Sequence, residues 1–446
     1  MLVDFRIANF RSFDDEQTLS LVASPDRVHP THVIPTPSGA GLLKTIALYG
    51  KNASGKSNLI AALRVMRDFV ADSASRLNAG DAIQGVVPFR LDNKRMSEPS
   101  AFTATLYLNG KYFEYSFSAT ALRVVSESLK ELPNSVWFDR RVNKEGKYET
   151  KFDGPLRLDG GIVGEKTREN ALILSVGAQL NNEALTSVYR WFRERFWVLD
   201  MSEAPMHLLY SMSENIRKDE DLRDKAASLM ADADFGIEDL KIVEPVEPEP
   251  DPDLPPGARR VTLPDGTVRV IRTIPRREIN VRTLHRGASN ELIEFAFPQE
   301  ESNGTQRVFA MAGPLLRAIA RGQLIVIDEF DCSMHPLLAR SLIQFFQFET
   351  AVTGSQSQMI IATHDATLFD KDVFRRDELW ITDKHSSGRS ILYSLHDFSV
   401  PPRSSAAFQK NYMAGRFGGI PHFGELLERY SRGTTTESEE STGSKD

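Results

Sequence analysis

A motif rich in glycine and lysine follows a short apolar stretch near the amino terminus. It runs from Gly50 to Ser57 and reads Gly-Lys-Asn-Ala-Ser-Gly-Lys-Ser. Glycines let such a loop curl until successive backbone N–H groups point inward at phosphate oxygens, and the helix predicted after it adds the positive end of its dipole. Lys56 is predicted to bind and activate the β- and γ-phosphates, and the Ser57 hydroxyl to ligate Mg²⁺. The spacing therefore predicts a phosphate-binding loop (P-loop) for ATP and Mg²⁺. Its predicted nucleotide contacts are Gly50, Lys51, Asn52, Ala53, Ser54, Gly55, Lys56, Ser57 and Asn58.

A second apolar stretch ends in two carboxylates. The four apolar residues 324–327 are typical of a strand buried on both faces, and Asp328 and Glu329 follow directly. Ligands of open α/β sheets bind at the carboxyl ends of the strands. Asp328 is predicted to hold Mg²⁺, and Glu329 to orient or deprotonate the attacking water. The alternative is a strand that ends in a solvated acidic turn, and the upstream P-loop makes that alternative the weaker one.

Two further clusters follow the same logic. The apolar residues 359–362 run into Thr363-His364-Asp365, where the histidine is either functional or simply structural. Residues 301–307 precede a predicted helix, and a Ser/Gly turn that caps a helix is a good anion site. An ordinary capped helix is the alternative there.

Composition limits the function classes. With 446 residues, a net charge of −7 and a pI near 5.8, the chain is unlike proteins that coat nucleic acid through bulk charge. A single cysteine, Cys332, excludes an intramolecular disulfide and is typical of a reducing compartment. The amino terminus lacks the pattern of a signal peptide, and no stretch approaches the roughly 18 apolar residues of a membrane span. We therefore expect a cytoplasmic protein with no membrane partner.

The elements around these motifs follow from periodicity. Residues 2–8 alternate apolar and polar, which predicts an edge strand. Residues 100–150 predict antiparallel strands with a turn at Asn109-Gly110. Residues 167–235 predict helices, one of them over 184–199. Aromatic residues there are spaced for a buried helix or a strand–helix junction, and core packing is favoured over a stacking platform for bases. They are Tyr189, Trp191, Phe192, Phe196 and Trp197.

An acidic, proline-rich segment over 244–256 predicts a linker or exposed loop. An arginine-rich hairpin follows over 259–286, with a turn at Asp265-Gly266. The acidic and basic segments could pair with each other, or the hairpin could bind phosphates of nucleic acid or a partner protein.

These elements predict an α/β fold: a P-loop NTPase head with a mixed sheet, flanking helices, an antiparallel β portion and a helical and β insert. The predicted parts are the first portion of the head with the P-loop (1–90), its antiparallel portion (91–165), the insert lobe (166–290), the second portion of the head (291–430) and a disordered tail (431–446).

The chain resembles the ABC-type AAA-family ATPases of bacterial abortive-infection and restriction-linked phage-defence systems (of the RloA and AbiL kind), relatives of the OLD-family, RecF and SMC ATPases. The resemblance spans both ends of the chain and covers the insert 90–290 only loosely. It is carried by Asn9–Phe13, residues 50–58, Ser302–Arg307, residues 327–336, Thr363–Asp365 and residues 412–423.

The resemblance implies a homodimer or higher oligomer in which two subunits enclose ATP. Ser302 and Gly304, in the signature loop, would contact the nucleotide held by the partner, and His364 would reach the γ-phosphate in a catalytic role. Arg11 and Ser12 would lie near the adenine. Gln84 is a candidate for the glutamine of the Q-loop. The signature reads Glu-Ser-Asn-Gly-Thr, and His335 stands where many relatives have an aspartate, so both loops depart from the common pattern.

Three functions are compatible with these features. The favoured one is the ATPase motor of a phage-defence system that controls a separate effector such as a nuclease, because no acidic cluster of a nuclease follows His364. The alternative is a RecF- or SMC-like DNA-repair ATPase that uses the arginine-rich hairpin on DNA. A transporter subunit is disfavoured by the large insert and the unusual signature.

Overall fold

The computed structural model describes residues 1–37, 39–201, 206–233, 236–243, 254, 258–262, 267–272, 281–398 and 408–420. The chain forms two compact units. One, the P-loop unit, comprises residues 2–193 together with the described residues after 359. The other, the carboxylate unit, comprises Met1 and residues 194–359.

The strands are β1 (Leu2–Ala8), β2 (Gln17–Ser20), β3 (Val33–Ile34), β4 (Leu42–Leu43), β5 (Thr45–Tyr49), β6 (Ser100–Leu108), β7 (Lys111–Ala119), β8 (Val124–Glu131), β9 (Ser135–Val142), β10 (Tyr148–Phe152), β11 (Phe196–Asp200), β12 (Ile237–Ile242), β13 (Ala258–Thr262), β14 (Val268–Arg272), β15 (Val281–Arg286), β16 (Leu292–Phe297), β17 (Leu324–Asp328), β18 (Gln358–Ala362), β19 (Leu379–Lys384) and β20 (Ser390–Ser394). The helices are α1 (Lys56–Asp72), α2 (Asn93–Met96), α3 (Gly160–Lys166), α4 (Ile173–Gln179), α5 (Glu183–Glu194), α6 (Met206–Lys218), α7 (Glu220–Asp232), α8 (Asn303–Arg321), α9 (Pro336–Val352) and α10 (Phe408–Met413).

A seven-stranded antiparallel sheet dominates the P-loop unit, in the order β10-β9-β8-β7-β6-β1-β2. The predicted turn between β6 and β7 is confirmed, since Asn109 (φ 50°) and Gly110 (φ 85°) both adopt the left-handed conformation that a tight hairpin needs. Helix α1 packs on this sheet, with the rings of Phe69 and Phe117 5.4 Å apart. Burial of each such ring stabilises the fold by about 1.5–3 kcal/mol. The sheet therefore anchors the helix that follows the P-loop.

The prediction that residues 2–8 form an edge strand is wrong. Strand β1 lies between β2 and β6 and pairs with both. Its apolar side is buried, and Arg6 on the other side pairs with Asp4 and Glu114. Alternation reports one buried face, and an inner strand of a half-exposed antiparallel sheet has the same pattern as an edge strand.

A smaller group of strands carries the P-loop within this unit. Strands β5 and β19 are parallel, with Ile381 opposite Tyr49, and β20 is antiparallel to β19. All five residues of β5 are buried. The P-loop thus begins at the carboxyl end of a fully buried strand.

Helices and a parallel strand pair form the core of the carboxylate unit. Strand β11 is parallel to β17, and all five residues of β17 are buried, as its apolar run predicted. Helix α8 packs closely on α6, because a Cβ added to Gly313 would lie 2.5 Å from the Met212 sulfur. These contacts hold the strand that ends in Asp328.

The predicted helix over 184–199 is correct only as far as Glu194, where α5 ends. Residues Phe196–Asp200 form β11 instead, with Asp200 opposite Asp328. Pairing with β17 outweighs the local helical pattern, and Phe196 and Val198 are residue types that favour strands.

Most of the aromatic cluster serves the core, as predicted. Trp191, Phe192 and Phe196 are buried, and the Tyr189 hydroxyl donates to the Ala71 carbonyl at 2.9 Å. Trp197 departs from the prediction, since it is 44% exposed and its indole N–H donates to the Glu194 carbonyl.

The later part of the predicted insert lobe, together with β16, forms two small sheets in the carboxylate unit, while α4 lies in the P-loop unit. Strands β12, β15 and β16 form one antiparallel sheet, and β13 and β14 pair antiparallel as the predicted hairpin. The predicted turn at Asp265-Gly266, the linker 244–256 apart from Leu254, and the tail 431–446 lie outside the described residues. None of the helices in the described ranges combines the length and apolar composition that crossing a membrane requires.

Candidate nucleotide-binding site

The P-loop curls through three residues with positive φ. Gly50 (φ 146°), Ala53 (φ 62°) and Gly55 (φ 127°) interrupt the chain between β5 and α1. Such alternation of backbone conformation turns consecutive N–H groups toward one concavity, which is the arrangement that binds phosphate oxygens. The predicted loop is therefore formed by the backbone itself.

Both glycines are sterically required. A Cβ on Gly50 would lie 2.3 Å from the Thr382 carbonyl oxygen, and one on Gly55 would lie 2.5 Å from the Ser390 hydroxyl. Side chains rarely adopt these φ values, so a larger residue would meet both a steric clash and backbone strain. The loop thus packs against β19 and β20, two strands that come much later in the sequence.

Lys56 is buried and turns back into the loop. Its ammonium donates to the Gly50 carbonyl at 2.7 Å and approaches the Lys51 carbonyl at 3.4 Å. Asn52, Ala53 and Ser57 are exposed beside it. The structure therefore places the Lys56 ammonium inside the curl, while the contacts of Lys56 with phosphate and of Ser57 with Mg²⁺ stay predictions.

The first turn of α1 is open to an anion. Gly55 is its N-cap and has no side chain that could cap the helix, and no acidic residue lies in the first turn. The uncapped N–H groups and the helix dipole both favour negative charge at this end. Together with the glycine curl, this end of α1 fits the phosphates of a nucleotide.

The amino-terminal segment lies against this helix. The Ser12 hydroxyl accepts from the Asn58 amide at 2.7 Å, and Arg11 Nη1 lies 3.5 Å from Asn58 Oδ1. Arg11 is exposed and has φ 49°. Ser12 and Arg11 thus lie beside the P-loop helix, and their contact with adenine stays a prediction.

Three polar residues at the P-loop were missed by sequence reasoning. Thr382 shares a 2.6 Å hydrogen bond with Ser54, and Ser390 donates to the Ser54 carbonyl at 2.5 Å. Asp383 lies 3.0 Å from the Lys51 ammonium. The only sequence signal is a Thr-Asp pair at the end of an otherwise apolar strand, which is too common to indicate a site.

Lys51 is therefore engaged by a carboxylate of its own unit. Burial tends to raise the pKa of Asp383, but the N–H groups of Gly419 and Lys384 and the Lys51 ammonium hold that pKa below its ordinary value. Asp383 is ionised at neutral pH and neutralises the Lys51 side chain. Contact between Lys51 and the nucleotide stays a prediction, for which the backbone of Lys51 is better placed than its ammonium.

His364 follows β18 and is exposed. The preceding Thr363 donates its N–H to the Leu48 carbonyl of β5 at 3.1 Å, so His364 emerges beside the strand that leads into the P-loop. The Asp365 carboxylate caps the next turn through Thr367, and its second oxygen is buried without a hydrogen-bond partner among the described residues.

In the carboxylate unit, Asp328 is buried at the end of β17 and accepts the Glu329 N–H at 3.1 Å. Glu329 is half-buried and has φ 50°. This conformation costs a non-glycine residue about 1–2 kcal/mol, and such strain is concentrated at functional sites. The strained backbone lies at one of the two adjacent carboxylates for which sequence reasoning predicts a role.

The signature loop caps α8. The Ser302 hydroxyl accepts the Thr305 N–H at 3.1 Å, and both Ser302 and Asn303 are exposed. A Cβ on Gly304 would lie 3.1 Å from the Ser333 carbonyl oxygen. Gly304 therefore allows this helix end to approach the turn after β17, within the same unit.

Strand β15 holds the first residue of the signature loop. Glu301 accepts from the Thr283 hydroxyl, and His285 Nε2 lies 2.7 Å from a Glu301 oxygen. Gln306 in turn donates to the Glu301 carbonyl at 3.0 Å. The sheet of β12, β15 and β16, called the insert sheet below, thus contacts the signature loop directly.

Two residues singled out in the sequence, His335 and Gln84, show no contact that tests their expected roles. His335 caps α9 through its ring nitrogen, which accepts the Leu337 N–H at 3.2 Å. Gln84 is exposed in the loop after α1, three residues before Val87, whose carbonyl accepts the Arg11 N–H. Its role as the Q-loop glutamine stays a prediction.

The fold, the P-loop and the buried strand ending in Asp-Glu define a class: an α/β domain with a P-loop. The chain belongs to the family described as "AAA domain, putative AbiEii toxin, Type IV TA system", which it matches over residues 46–370. The match includes both the P-loop and the carboxylate strand.

Solved structures with a distant overall similarity are SMC heads. One is an SMC head bound to the C-winged helix domain of ScpA, with a TM-score of 0.43, 12% identity and coverage of 88% of this chain and 97% of that chain. Another is the SMC head domain from Thermotoga maritima, with a TM-score of 0.42, 11% identity and coverage of 88% and 98%. No curated protein matches the chain.

Proposed function

We propose that this chain binds and hydrolyses ATP. The observation that carries the proposal is the loop from Gly50 to Ser57, which curls through three residues of positive φ around the buried Lys56 ammonium. Few ligands other than a polyphosphate suit a cage of backbone N–H groups with a cation inside and an uncapped helix end below.

The remaining roles follow from the chemistry that a triphosphate needs. Ser57 and Asp328 would hold Mg²⁺, since both are oxygen donors of the kind that this hard cation prefers. The metal, when bound, neutralises charge that develops on the phosphates. Glu329 would orient or deprotonate the attacking water, and His364 would hydrogen-bond the γ-phosphate.

A second copy of the chain would complete the site. In this proposal Ser302 and Gly304 act on the nucleotide of the partner subunit. The exposure of Ser302 and Asn303 at the amino end of α8 supports it, because this helix end is accessible in the single chain.

The direct test is ATP binding and turnover by the purified chain. We expect wild type to bind ATP in calorimetry and to release phosphate only with Mg²⁺. Lys56→Ala should lower turnover about 100-fold or more, the scale on which charge stabilisation of a transition state is lost. Lys94→Ala, which removes an exposed ammonium from the short helix α2, is the control and should turn over ATP as wild type does. Equal turnover of wild type and Lys56→Ala would remove the proposal.

We further propose that the ATPase is the motor of a phage-defence system and controls a separate effector. The family description refers to a putative toxin of a toxin–antitoxin system, which supports a link to such a system; control of a separate effector is the further step that the test addresses. The test incubates the purified chain with DNA and RNA in Mg²⁺ or Mn²⁺, and we expect no cleavage. Cleavage that follows this chain through successive purification steps would contradict a separate effector.

A DNA-dependent ATPase is the second candidate. The observation that favours it is that β15, the strand that follows the arginine-rich hairpin in sequence, carries Thr283 and His285 against the Glu301 carboxylate of the signature loop. Phosphates bound at the hairpin would act on the loop through this strand.

This candidate predicts ATP turnover that DNA stimulates and that weakens steeply with salt. Arg276 and Arg277 lie outside the described residues, but their charge makes them the best probes. Replacement of both by Glu should abolish the stimulation and leave basal turnover unchanged. Stimulation that survives the double replacement would exclude the hairpin as the DNA site.

A further inference from the structure

A segment far from the P-loop in sequence lies directly against it. This C-terminal segment comprises α10 and the turn that follows, over residues 408–420. Gly415, Gly418 and Gly419 in the turn all have positive φ, at 74°, 71° and 67°. The turn is therefore a compact backbone structure built for close approach.

The Asp383 carboxylate joins this segment to the P-loop. One oxygen accepts the Gly419 N–H at 3.1 Å, and the other lies 3.0 Å from the Lys51 ammonium. The Lys384 N–H also donates to Asp383, at 2.7 Å. A single ionised side chain thus bridges the second residue of the P-loop and the backbone of the segment, and charge-assisted bonds of this kind are the stronger ones.

The backbone approach is as close as glycine allows. A Cβ on Gly419 would lie 2.6 Å from the Ile381 side chain and 3.4 Å from the Gly50 Cα. A Cβ on Gly418 would lie 2.6 Å from the Tyr393 hydroxyl and 2.9 Å from Asp383. Both glycines are therefore needed for the segment to reach the first residue of the loop.

Tyr412 adds a third contact from α10. Its ring stacks on Phe369 at 4.6 Å, and its hydroxyl donates to the Gly419 carbonyl at 3.3 Å. Burial and the charge of Asp383 raise the pKa of Tyr412 to about 12, while the Gly50 N–H opposes this shift. The phenol thus stays protonated and lies between the segment and the Gly50 backbone.

We propose that Asp383 and Gly419 are positioning residues of the nucleotide site, which hold Gly50 and Lys51 in the shape that binds phosphate. The inference rests on the proposed ATP binding of the P-loop. Neither residue needs to touch the nucleotide. Through these two residues the C-terminal segment supports the P-loop, so that the loop and the segment become ordered together.

Reciprocity gives a test that needs no variant of these two residues. If the segment orders the loop, then nucleotide bound to the loop must order the segment by the same free energy. We expect ATP to slow hydrogen–deuterium exchange in a peptide that covers residues 408–420 of the full chain. Lys56→Ala, which removes the cation of the loop, should show no such protection at the same ATP concentration.

Variants test the two residues separately. Asp383→Asn and Gly419→Ala should each raise the Kd for ATP about tenfold, within the range typical of coupled sites. The matched controls are Asp139→Asn, which removes a surface ion pair with Arg141, and Gly146→Ala, which changes a glycine of φ 82° with nothing within 4 Å. The controls should bind ATP as wild type does.

The outcomes separate the two proposals. Wild type that binds no ATP would overturn both the proposed function and the positioning role. Wild type that binds ATP without protecting residues 408–420, with unchanged affinity in Asp383→Asn and Gly419→Ala, would overturn the positioning role alone. A lower melting temperature with unchanged affinity for ATP would show that the two residues serve stability only.

Discussion

Glu329 combines a strained backbone with a half-buried carboxylate. Its φ of 50° follows directly after a fully buried strand, and its N–H is held by the Asp328 carboxylate. A residue with no role in chemistry at this position would be expected to give way to Gly or Asn, which adopt this conformation at lower cost. The strain is consistent with a carboxylate that is required there for a reaction.

Replacement of Glu329 by Gln tests whether this carboxylate takes part in the reaction, because it changes one oxygen atom into an amide nitrogen. The amide keeps the size of the side chain but cannot take a proton, so turnover should fall roughly 100- to 10,000-fold. ATP binding in calorimetry should be unchanged. Glu294→Gln, at an exposed position of strand β16, is the control. Turnover at the wild-type rate in Glu329→Gln would assign the base elsewhere.

Gly55 tests the steric argument for the loop. Alanine there would place its Cβ 2.5 Å from the Ser390 hydroxyl in a backbone of φ 127°. We expect ATP affinity to fall about tenfold or more, because the loop must open to relieve the contact. Gly110→Ala is the control. Its backbone (φ 85°) is strained in a similar way, but the added Cβ would have no atom within 4 Å. Equal effects of both variants on ATP affinity would show that the packing against Ser390 is unimportant.

At the scale of elements, the insert sheet is joined to the start of α8. Thr283 and His285 on β15 both bind the Glu301 carboxylate, and Ser302 next to it caps the helix. Loss of a carboxylate that accepts two hydrogen bonds leaves both donors without their partner. The position of the signature loop therefore depends on a strand from the insert.

Glu301→Ala should accordingly impair turnover more than nucleotide binding. We expect turnover to fall about tenfold, since misplacement by about 1 Å is sufficient for losses of this size or larger. ATP affinity, which depends on the P-loop in the proposed function, should change less than about twofold. The matched control is Glu294→Ala, whose carboxylate pairs with Lys241 on the surface. A loss of ATP affinity equal to the loss of turnover would refute this division of roles.

At the scale of the whole molecule, the proposed dimer predicts that two inactive variants restore activity when they are mixed. A site formed within one chain cannot show this behaviour. Ser302→Arg should abolish turnover and leave ATP binding intact, whereas Lys56→Ala should abolish both. When the two inactive variants are mixed, a mixed dimer has one intact pair of P-loop and partner signature loop. Equal mixing should restore about a quarter of wild-type turnover, because half of the dimers are mixed and each has one of two sites.

The same mixture distinguishes action within a subunit. If Ser302 serves the P-loop of its own chain, every site in the mixture carries a defect, and turnover stays at the level of the separate variants. Light scattering in the presence of ATP measures whether Glu329→Gln accumulates as a dimer. A monomer under those conditions, with full ATP binding, would contradict the shared site.

The sequence by itself determined the local backbone structure of the candidate site. The P-loop depends on backbone conformations that its own glycines allow, so its spacing was sufficient to predict both the curl and the position of Lys56. The strand before Asp328 was predictable for a similar reason, because four successive apolar residues favour burial on both faces. The Ser302 cap also follows from a residue preference that acts within one turn of helix.

Only the tertiary structure showed what surrounds the loop. Thr382 contacts Ser54 from 328 positions away, and Asp383 and Gly419 reach Lys51 and Gly50 from the same late part of the chain. The inner place of β1 and the change from α5 to β11 were likewise not predicted. Such contacts depend on which distant strands pair. The local pattern of apolar residues indicates how many faces of an element are buried. It does not indicate which other element covers those faces.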